Sequence, residues 1–318
     1  MRTIVAPIAL AACLASAGAV QAQTVGIATS NPGSLFHNIG TAIAKAANDA
    51  GVNATIQPAT SPNQYMPLVN ANEVEFGVGN LEEFTYALTG QEWFSGGVNE
   101  DLRAVGLIMP IRAGIFVRAD SDIDEIADLE GQPMVDGYTA QQTILPQLDA
   151  LYATAGLSRD DMQPVQVPSV VAGADAFMTG ESVGFYFAHG AGKVREADAS
   201  VGGIRALGVP DTDEALQALR QHWKTAYIDT IEPGPAAPGV LEAGTYMHYP
   251  QLLFTNAQVS DDAVYAMTKV LHESQAAMAE TFPPFRLFDP QGMAGEIEPG
   301  EFHSGAIRYY KEVGLWQE

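Results

Sequence analysis

The sequence predicts an α/β fold arranged as two lobes. Short apolar runs alternate with amphipathic helical stretches along nearly the whole chain, which implies parallel sheets covered by helices. A length of 318 residues with 47% hydrophobic content supports a large core, and that length divides naturally into two lobes. Polar turns rich in Ser, Asn, Pro and Gly recur where strands end and helices begin, the position at which open α/β sheets hold ligands.

Residues 1–22, MRTIVAPIALAACLASAGAVQA, read as a leader outside that fold. One basic residue, Arg2, precedes an apolar run that ends in Val20-Gln21-Ala22, so cleavage is expected before Gln23. Pro7 and Gly18 interrupt the run, which argues against a membrane span. The stretch LAAC at 10–13 is a rival, resembling a lipoprotein box that would leave a lipid on Cys13. The apolar run before it is short and continues past it, which favours simple cleavage. Cys13 is the single cysteine, so the mature chain can form no disulfide, thiolate metal site or thiol nucleophile.

The elements follow in order. TVGIAT (24–29) is a strand, and SLFHNIGTAIAKAANDAG (34–51) is a helix with Leu35, Ile39, Ala42, Ile43 and Ala46 on one face and Gly51 as its stop. NATIQPA (53–59) is a strand, NQYMPLVNAN a short helix, and EFGVGN (75–80) a strand ending at Asn80. LEEFTYALTG is a helix stopped by Gly90; LRAVGLIM and AGIFVRAD are strands. DIDEIADLEGQPMVDG gives a helical turn and then a strand ending at Gly137. TAQQTILPQLDALYATAGL is expected to be one long helix capped by Gly156. MQPVQVP is a strand, SVVAGADAFMTGE a helix, SVGFYFAHG and IRALGVP strands, and TDEALQALRQHW a helix. GTYMHYPQLLFTNA is extended, and SDDAVYAMTKVLHESQAAMAETF is a long helix; EPGPAAPG (232–239) is a loop.

The formal charge of −23 excludes nucleic acid and anionic lipid as natural partners. No G-x-S-x-G elbow or H-E-x-x-H helix is present, and HGAGKVRE (189–196) lacks phosphate-loop spacing. The chain is therefore expected not to be an enzyme and to need no metal or cofactor, an exported α/β hydrolase being the alternative.

Five polar segments are the candidate site: SNPGS (30–34), TSPNQY (60–65), Asn80 with Glu82 and Glu83, GYTAQQT (137–143) and FYFAHG (185–190). Free amides at the helix starts after Ser30 and Thr139 are expected to offer a partial positive field to an anion. Ser30, Asn31, Ser34, Gln64, Asn80, Thr139, Gln141, Gln142 and Thr143 supply neutral hydrogen-bonding groups. Phe36, Tyr65, Tyr138 and Tyr186 are candidate walls, with core packing as the competing role, and His189 either meets the solute or caps a turn. Phe185 reads as core. Arg112 is either a bidentate carboxylate partner or a salt-bridge residue near the crossover, and Arg118 is expected to hold Asp120 or Asp122. Glu82 and Glu83 suit an amine on the solute, but acids are also ordinary in a first helical turn.

The C-terminal HSGAIRYYKEVGLW (303–316) resembles the HPGAxRYYxExGLW ending of TAXI-type solute-binding proteins, the extracytoplasmic partners of TRAP transporters. VYAMTKVLHES (264–274), VRADSDIDEIADLEGQPMVDG (117–137), LYATAGLSRDDMQPV (151–165), FMTGE (177–181) and AGTY (243–246) resemble further segments of that family in the same order. The resemblance implies a periplasmic binding protein-like fold of type II. It implies a small organic solute, a carboxylate or an amino acid such as glutamate or a dicarboxylate, and integral membrane subunits of a TRAP transporter as partners in the periplasm. It also implies that His303 is structural.

SNPGSLFHN, TSPNQY and GYTAQQT stand where the family has small Gly/Ser loops. Asn31, Pro32, Leu35, Tyr65, Tyr138, Gln141 and Gln142 make these loops bulkier, so a narrowed pocket is expected. Lobe one is expected to combine 23–118 with 250–318, lobe two to span 119–249, and the chain to cross near AGIFVRAD and HYPQLLFTNA.

Overall fold

The computed structural model describes residues 24–316; the leader expected at 1–22, with Arg2 and Cys13, lies outside the described residues. The first sheet begins as a β-α-β-α-β-α run: β1 (Val25–Thr29), α1 (Leu35–Asp49), β2 (Ala54–Pro58), α2 (Pro62–Asn70), β3 (Phe76–Asn80) and α3 (Leu81–Thr89). β4 (Leu102–Leu107) ends this stretch, and β5 (Ile111–Arg118) opens the second sheet. There follow β6 (Pro133–Asp136), α4 (Leu145–Ala153), β7 (Gln163–Gln166), α5 (Val170–Met178), β8 (Gly184–Ala188), α6 (Gly192–Val201) and β9 (Ile204–Leu207). α7 (Asp213–His222), β10 (Tyr227–Ile231) and β11 (Gly244–Tyr249) complete the second lobe. β12 (Gln251–Asn256), α8 (Asp261–Glu273), α9 (Gln275–Thr281) and α10 (Ser304–Val313) return to the first.

The first sheet has the order β2-β1-β3-β12-β4; the second has β10-β11-β5-β8-β6-β7, with β9 also on β5. Both are mixed rather than parallel. β12 runs antiparallel to β3 and β4, and β5 antiparallel to β8, β9 and β11, because these strands carry the chain between lobes and not around a helix. β5 pairs throughout in the second sheet, so the expected limit of lobe one at 118 moves back to the link Ile108–Pro110. The return link is Pro250, between β11 and β12. Gln251 ties the two links together: its backbone carbonyl accepts from Ile108 N–H at 2.9 Å and its side-chain amide donates to the Met109 carbonyl at 2.6 Å.

Local chemistry accounts for most element ends. Ser34, Asn80, Ser169, Thr212 and Ser260 each accept the backbone N–H three residues on at a helix start. His303 caps α10 through Nδ1, which accepts from Gly305 N–H at 3.0 Å, and Tyr310 donates to the Val105 carbonyl at 2.5 Å. The C-terminal motif thus anchors a helix to β4, behind the first sheet. Gly77 in β3 lies under the Phe254 ring of β12; a Cβ there would run into that ring.

Two helices are shorter than expected. The stretch 139–157 forms a 3-10 turn at Gln142–Ile144 and then α4 from Leu145, with Pro146 in its first turn. The stretch 260–282 breaks at Ser274 into α8 and α9. α6 and β10 were not expected from the sequence pattern. α6 has a polar stretch of charges and alanines, and β10 is a half-exposed strand made by pairing with β11.

Candidate functional site

All five polar segments reach one partly open cleft between the two sheets. Ser30, Ser34, Leu35 and Phe36 line it from the β1–α1 turn, Pro62 from α2, and Asn80 and Glu83 from the β3–α3 junction. Gln141, Thr143, Ile144 and Gln147 line it from the loop before α4 and from α4 itself, and Tyr186, Phe187 and Ala188 from β8. Ile111, Val170 and Tyr249 complete the second-lobe wall. The cavity offers about 50 Å³ to the centre of a water-sized sphere, room for a few waters or the core of a small solute.

The α1 end of the cavity is built from donors. Leu35 N–H and Phe36 N–H, the first two amides of a 15-residue helix, make no hydrogen bond among the described residues. Ser34 Oγ accepts from His37 N–H at 3.2 Å, which leaves its proton to donate. Ser30 Oγ is buried, makes no hydrogen bond of full geometry, and has the Tyr65 hydroxyl as a weak neighbour.

The opposite loop differs from the expectation. Gly137 (φ 81°) and Tyr138 (φ 37°) are consecutive left-handed residues, a conformation costing a tyrosine about 1–3 kcal/mol. They turn the chain back on itself, so that Thr139 N–H and Ala140 N–H bond the Val167 and Pro168 carbonyls at 3.2 and 3.0 Å. Part of the positive field expected after Thr139 is therefore spent inside the second lobe, while Gln142 N–H and Thr143 N–H make no hydrogen bond among the described residues. Gln141 is also engaged: its Oε1 accepts Val170 N–H at 3.0 Å and caps α5.

Glu83 is the one acid in the lining. It is 1% exposed, and its Oε2 accepts from the Asn80 side-chain amide, while Asn80 Oδ1 accepts Glu83 N–H at 2.8 Å. Burial pushes its carboxyl up to about 7, against the pull of Thr143 and Asn80, which favour the charged form. Thr143 belongs to the second lobe and acts on this acid from across the gap. Its hydroxyl makes no full hydrogen bond and is a weak partner of Glu83.

A neutral network backs the site. Gln147 Oε1 accepts from the Tyr186 hydroxyl and, at 2.8 Å, from the Tyr249 hydroxyl, and its Nε2 donates to the Thr143 carbonyl at 3.0 Å. Burial holds both tyrosines above the usual phenol range. No Lys, Arg or His lies among the described residues lining the cavity.

Of the residues singled out in the sequence, Ser30, Ser34, Phe36, Asn80, Gln141, Thr143 and Tyr186 line the cavity. Asn31, Gln64, Tyr65, Tyr138, Thr139, Gln142 and His189 do not. The Asn31 carbonyl closes the turn onto Ser34 N–H, and Gln64 is exposed and bonds Thr60 N–H at 3.1 Å. Tyr65 donates inward to the Val78 carbonyl at 2.6 Å, and Tyr138 is core. Thr139 and Gln142 face solvent. His189 packs between Phe116 and Tyr246, each 4.8 Å away between ring centroids, and burial holds it neutral. Arg112 makes neither expected contact: it bonds the Ala236 carbonyl at 3.4 Å and stays off the cavity. Arg118 pairs with Asp120 at 2.9 Å. Gln147 and Tyr249 escaped sequence reading. Their mark is a polar residue on the buried face of α4 and a tyrosine at a lobe crossing.

The model of the NMT1-like family matches residues 27–314. The chain belongs to the NMT1-like family. This NMT1-like chain also resembles solved structures across nearly its full length. PhnD1 from Prochlorococcus marinus (MIT 9301), solved with methylphosphonate, has a TM-score of 0.56 at 6% identity, covering 92% of this chain and 99% of that one. A structure described as a periplasmic transporter has a TM-score of 0.53 at 11% identity, covering 93% and 94%. The alkanesulfonate-binding protein SsuA from Xanthomonas axonopodis pv. citri, bound to MOPS, gives 0.46 at 14%, covering 91% and 83%. The fold is that of the two-lobed periplasmic binding proteins, type II.

Proposed function

We propose that this chain is an extracytoplasmic receptor that captures a small organic solute between its lobes and hands it to a TRAP-type membrane transporter. The observation that carries the reading is the convergence of five polar turns, three on one lobe and two on the other, on one cleft. Two chain crossings beside it, at Ile108–Pro110 and Pro250, supply a hinge. Family membership and a fold shared with PhnD1 support a binding role, and the leader at 1–22 supports export. The TRAP partner rests on the resemblance of the C-terminal motif and its companions.

A thermal-shift screen of amino acids, carboxylates, amines and sugars, followed by small-angle scattering with each hit, tests the receptor. A solute bound only by the folded state raises the midpoint by about 2–4 °C per kcal/mol in a protein near this size, and compaction should accompany it. A broad library that yields neither shift nor compaction overturns the reading. Reconstituted uptake with the membrane subunits separates the transporter classes: an ion gradient without ATP supports the TRAP partner, and dependence on ATP overturns that part alone.

A further inference from the structure

We propose that Glu83 is the specificity-determining residue of the cleft, accepting a protonated amine, and that the solute is a zwitterion with a single carboxylate, such as a small neutral amino acid. The inference rests on the receptor reading above and narrows its ligand class.

The site has one place for an anion and one for a cation. The anion place is the start of α1, where the open amides of Leu35 and Phe36 meet the free proton of Ser34 and the buried Ser30 hydroxyl, which makes no hydrogen bond of full geometry and has only Tyr65 as a weak neighbour. A second carboxylate finds a poorer counterpart. The amides of Thr139 and Ala140 are consumed by Val167 and Pro168; the open amides of Gln142 and Thr143 begin only a three-residue 3-10 turn, and the Thr143 hydroxyl lies beside Glu83, whose charge a carboxylate there would face. The nearby cations are engaged elsewhere: Arg112 on the Ala236 carbonyl, Lys193 on Asp175 at 2.7 Å and on Glu196 at 2.8 Å. The cation place is Glu83, which has no basic partner and whose surroundings leave it short of donors.

Every element packed about Glu83 contributes neutral groups. Asn80 comes from its own helix start and Thr143 from the loop before α4; Tyr65 faces it from α2, Tyr186 from β8 and Tyr249 from β11. The three phenols stay protonated well above neutrality, so Glu83 is the group that titrates there near pH 7. An ammonium requires the charged carboxylate. Below pH 7 its binding therefore expels a proton from Glu83, and affinity rises with pH, by at most about tenfold per unit, until it levels off above 7. A solute presenting only carboxylates would do the reverse. It would draw a proton onto Glu83 and weaken as pH rises. The apolar lining of Leu35, Ile111, Ile144, Val170 and Phe187 suits a short aliphatic side chain between the two ends.

Calorimetric titration of the mature chain with glycine, L-alanine, L-serine and L-valine against succinate, 2-oxoglutarate and L-glutamate, at pH 5.5, 6.5 and 7.5, decides the matter. The expected result is binding of a neutral amino acid that tightens with pH and releases protons when buffers of different ionisation enthalpy are compared. Glu83→Gln, checked for its thermal midpoint, should lose roughly tenfold or more in affinity and lose the pH slope. Tight binding of a dicarboxylate with proton uptake overturns the inference while leaving the receptor reading intact, as does a Glu83→Gln variant that binds neutral amino acids as well as wild type. Absence of compaction or heat with any solute of the wider screen counts against the receptor reading itself.

Discussion

Glu82 and Glu83 are neighbours at the start of α3, both at least 98% buried, and their situations are opposite. Glu82 is satisfied. Its Oε1 accepts from the Tyr86 hydroxyl at 2.8 Å, and its Oε2 accepts Thr225 N–H, from the other lobe, at 2.8 Å. Beside that bond, Tyr86 meets Trp223 edge-on at 6.4 Å, and Trp223 meets Tyr249 at 5.5 Å. Glu83, one residue on, points into the cavity with only an asparagine as a firm partner. One acid clasps the lobes together; the other is left for what the lobes enclose. A buried carboxylate with its donors in place is part of the scaffold, whereas one short of donors is an offer to a ligand.

Variants can break that distinction, and the largest effect is expected on the clasp side. Trp223→Ala removes a fully buried side chain between the lobes and should cost about 3–5 kcal/mol, read as a drop in the urea midpoint. An unchanged midpoint would mean that the interlobe packing is not formed in solution.

The next effect isolates Glu83. A folded carboxyl raised to about 7 against an unfolded value near 4.3 stabilises the fold fully below the unfolded value; that stability is lost as pH rises through 7. Unfolding of wild type and Glu83→Gln from pH 4 to 8 should diverge over this window, the variant gaining up to a few kcal/mol and holding a constant lead above pH 7. Parallel profiles would place Glu83 in water.

Glu82→Ala strands the Thr225 amide and the Tyr86 hydroxyl, a loss of about 1–3 kcal/mol. It should weaken every solute by the same factor, as measured by the ratio of Kd values for L-alanine and any weaker binder, with Glu82→Gln partly restoring both. A change in that ratio would make Glu82 a selectivity residue and erase the comparison. The smallest effect is that of Thr143→Val. Without the hydroxyl that favours the charged carboxylate, the pH at which amine affinity levels off should move up by a fraction of a unit. A downward move would contradict the assigned geometry.

The alternation of elements was legible because apolar periodicity reports which faces are buried, and β1, α1, β3 and α3 fall within a residue or two of the expected limits. The meeting of the five turns followed from strand polarity. What was not legible depended on partners distant in sequence. β12 and β5 run antiparallel because of their place between the lobes, and nothing local in PQLLFTN or GIFVR says so. The loop 137–143 looked like a twin of the loop 30–34. Its Thr139 and Ala140 amides are consumed by Val167 and Pro168, more than 25 residues away, and its open amides on Gln142 and Thr143 begin only a three-residue 3-10 turn, so the start of the 15-residue α1 is the stronger anion site. Glu82 and Glu83 were indistinguishable in sequence; the Thr225 amide, brought in by the other lobe, separates them.

The central claim, that two lobes close over a solute, can be measured directly. Residues 23–318 contain no cysteine, so in a chain that starts at Gln23 the variants Gln91→Cys and Gln221→Cys place spin labels at exposed positions on either side of the Glu82 clasp. Pulsed electron resonance should give a broad or two-component distance distribution without solute. With a saturating neutral amino acid it should collapse to the single, shorter distance of the closed form. A distribution that saturating solute leaves unchanged would contradict closure.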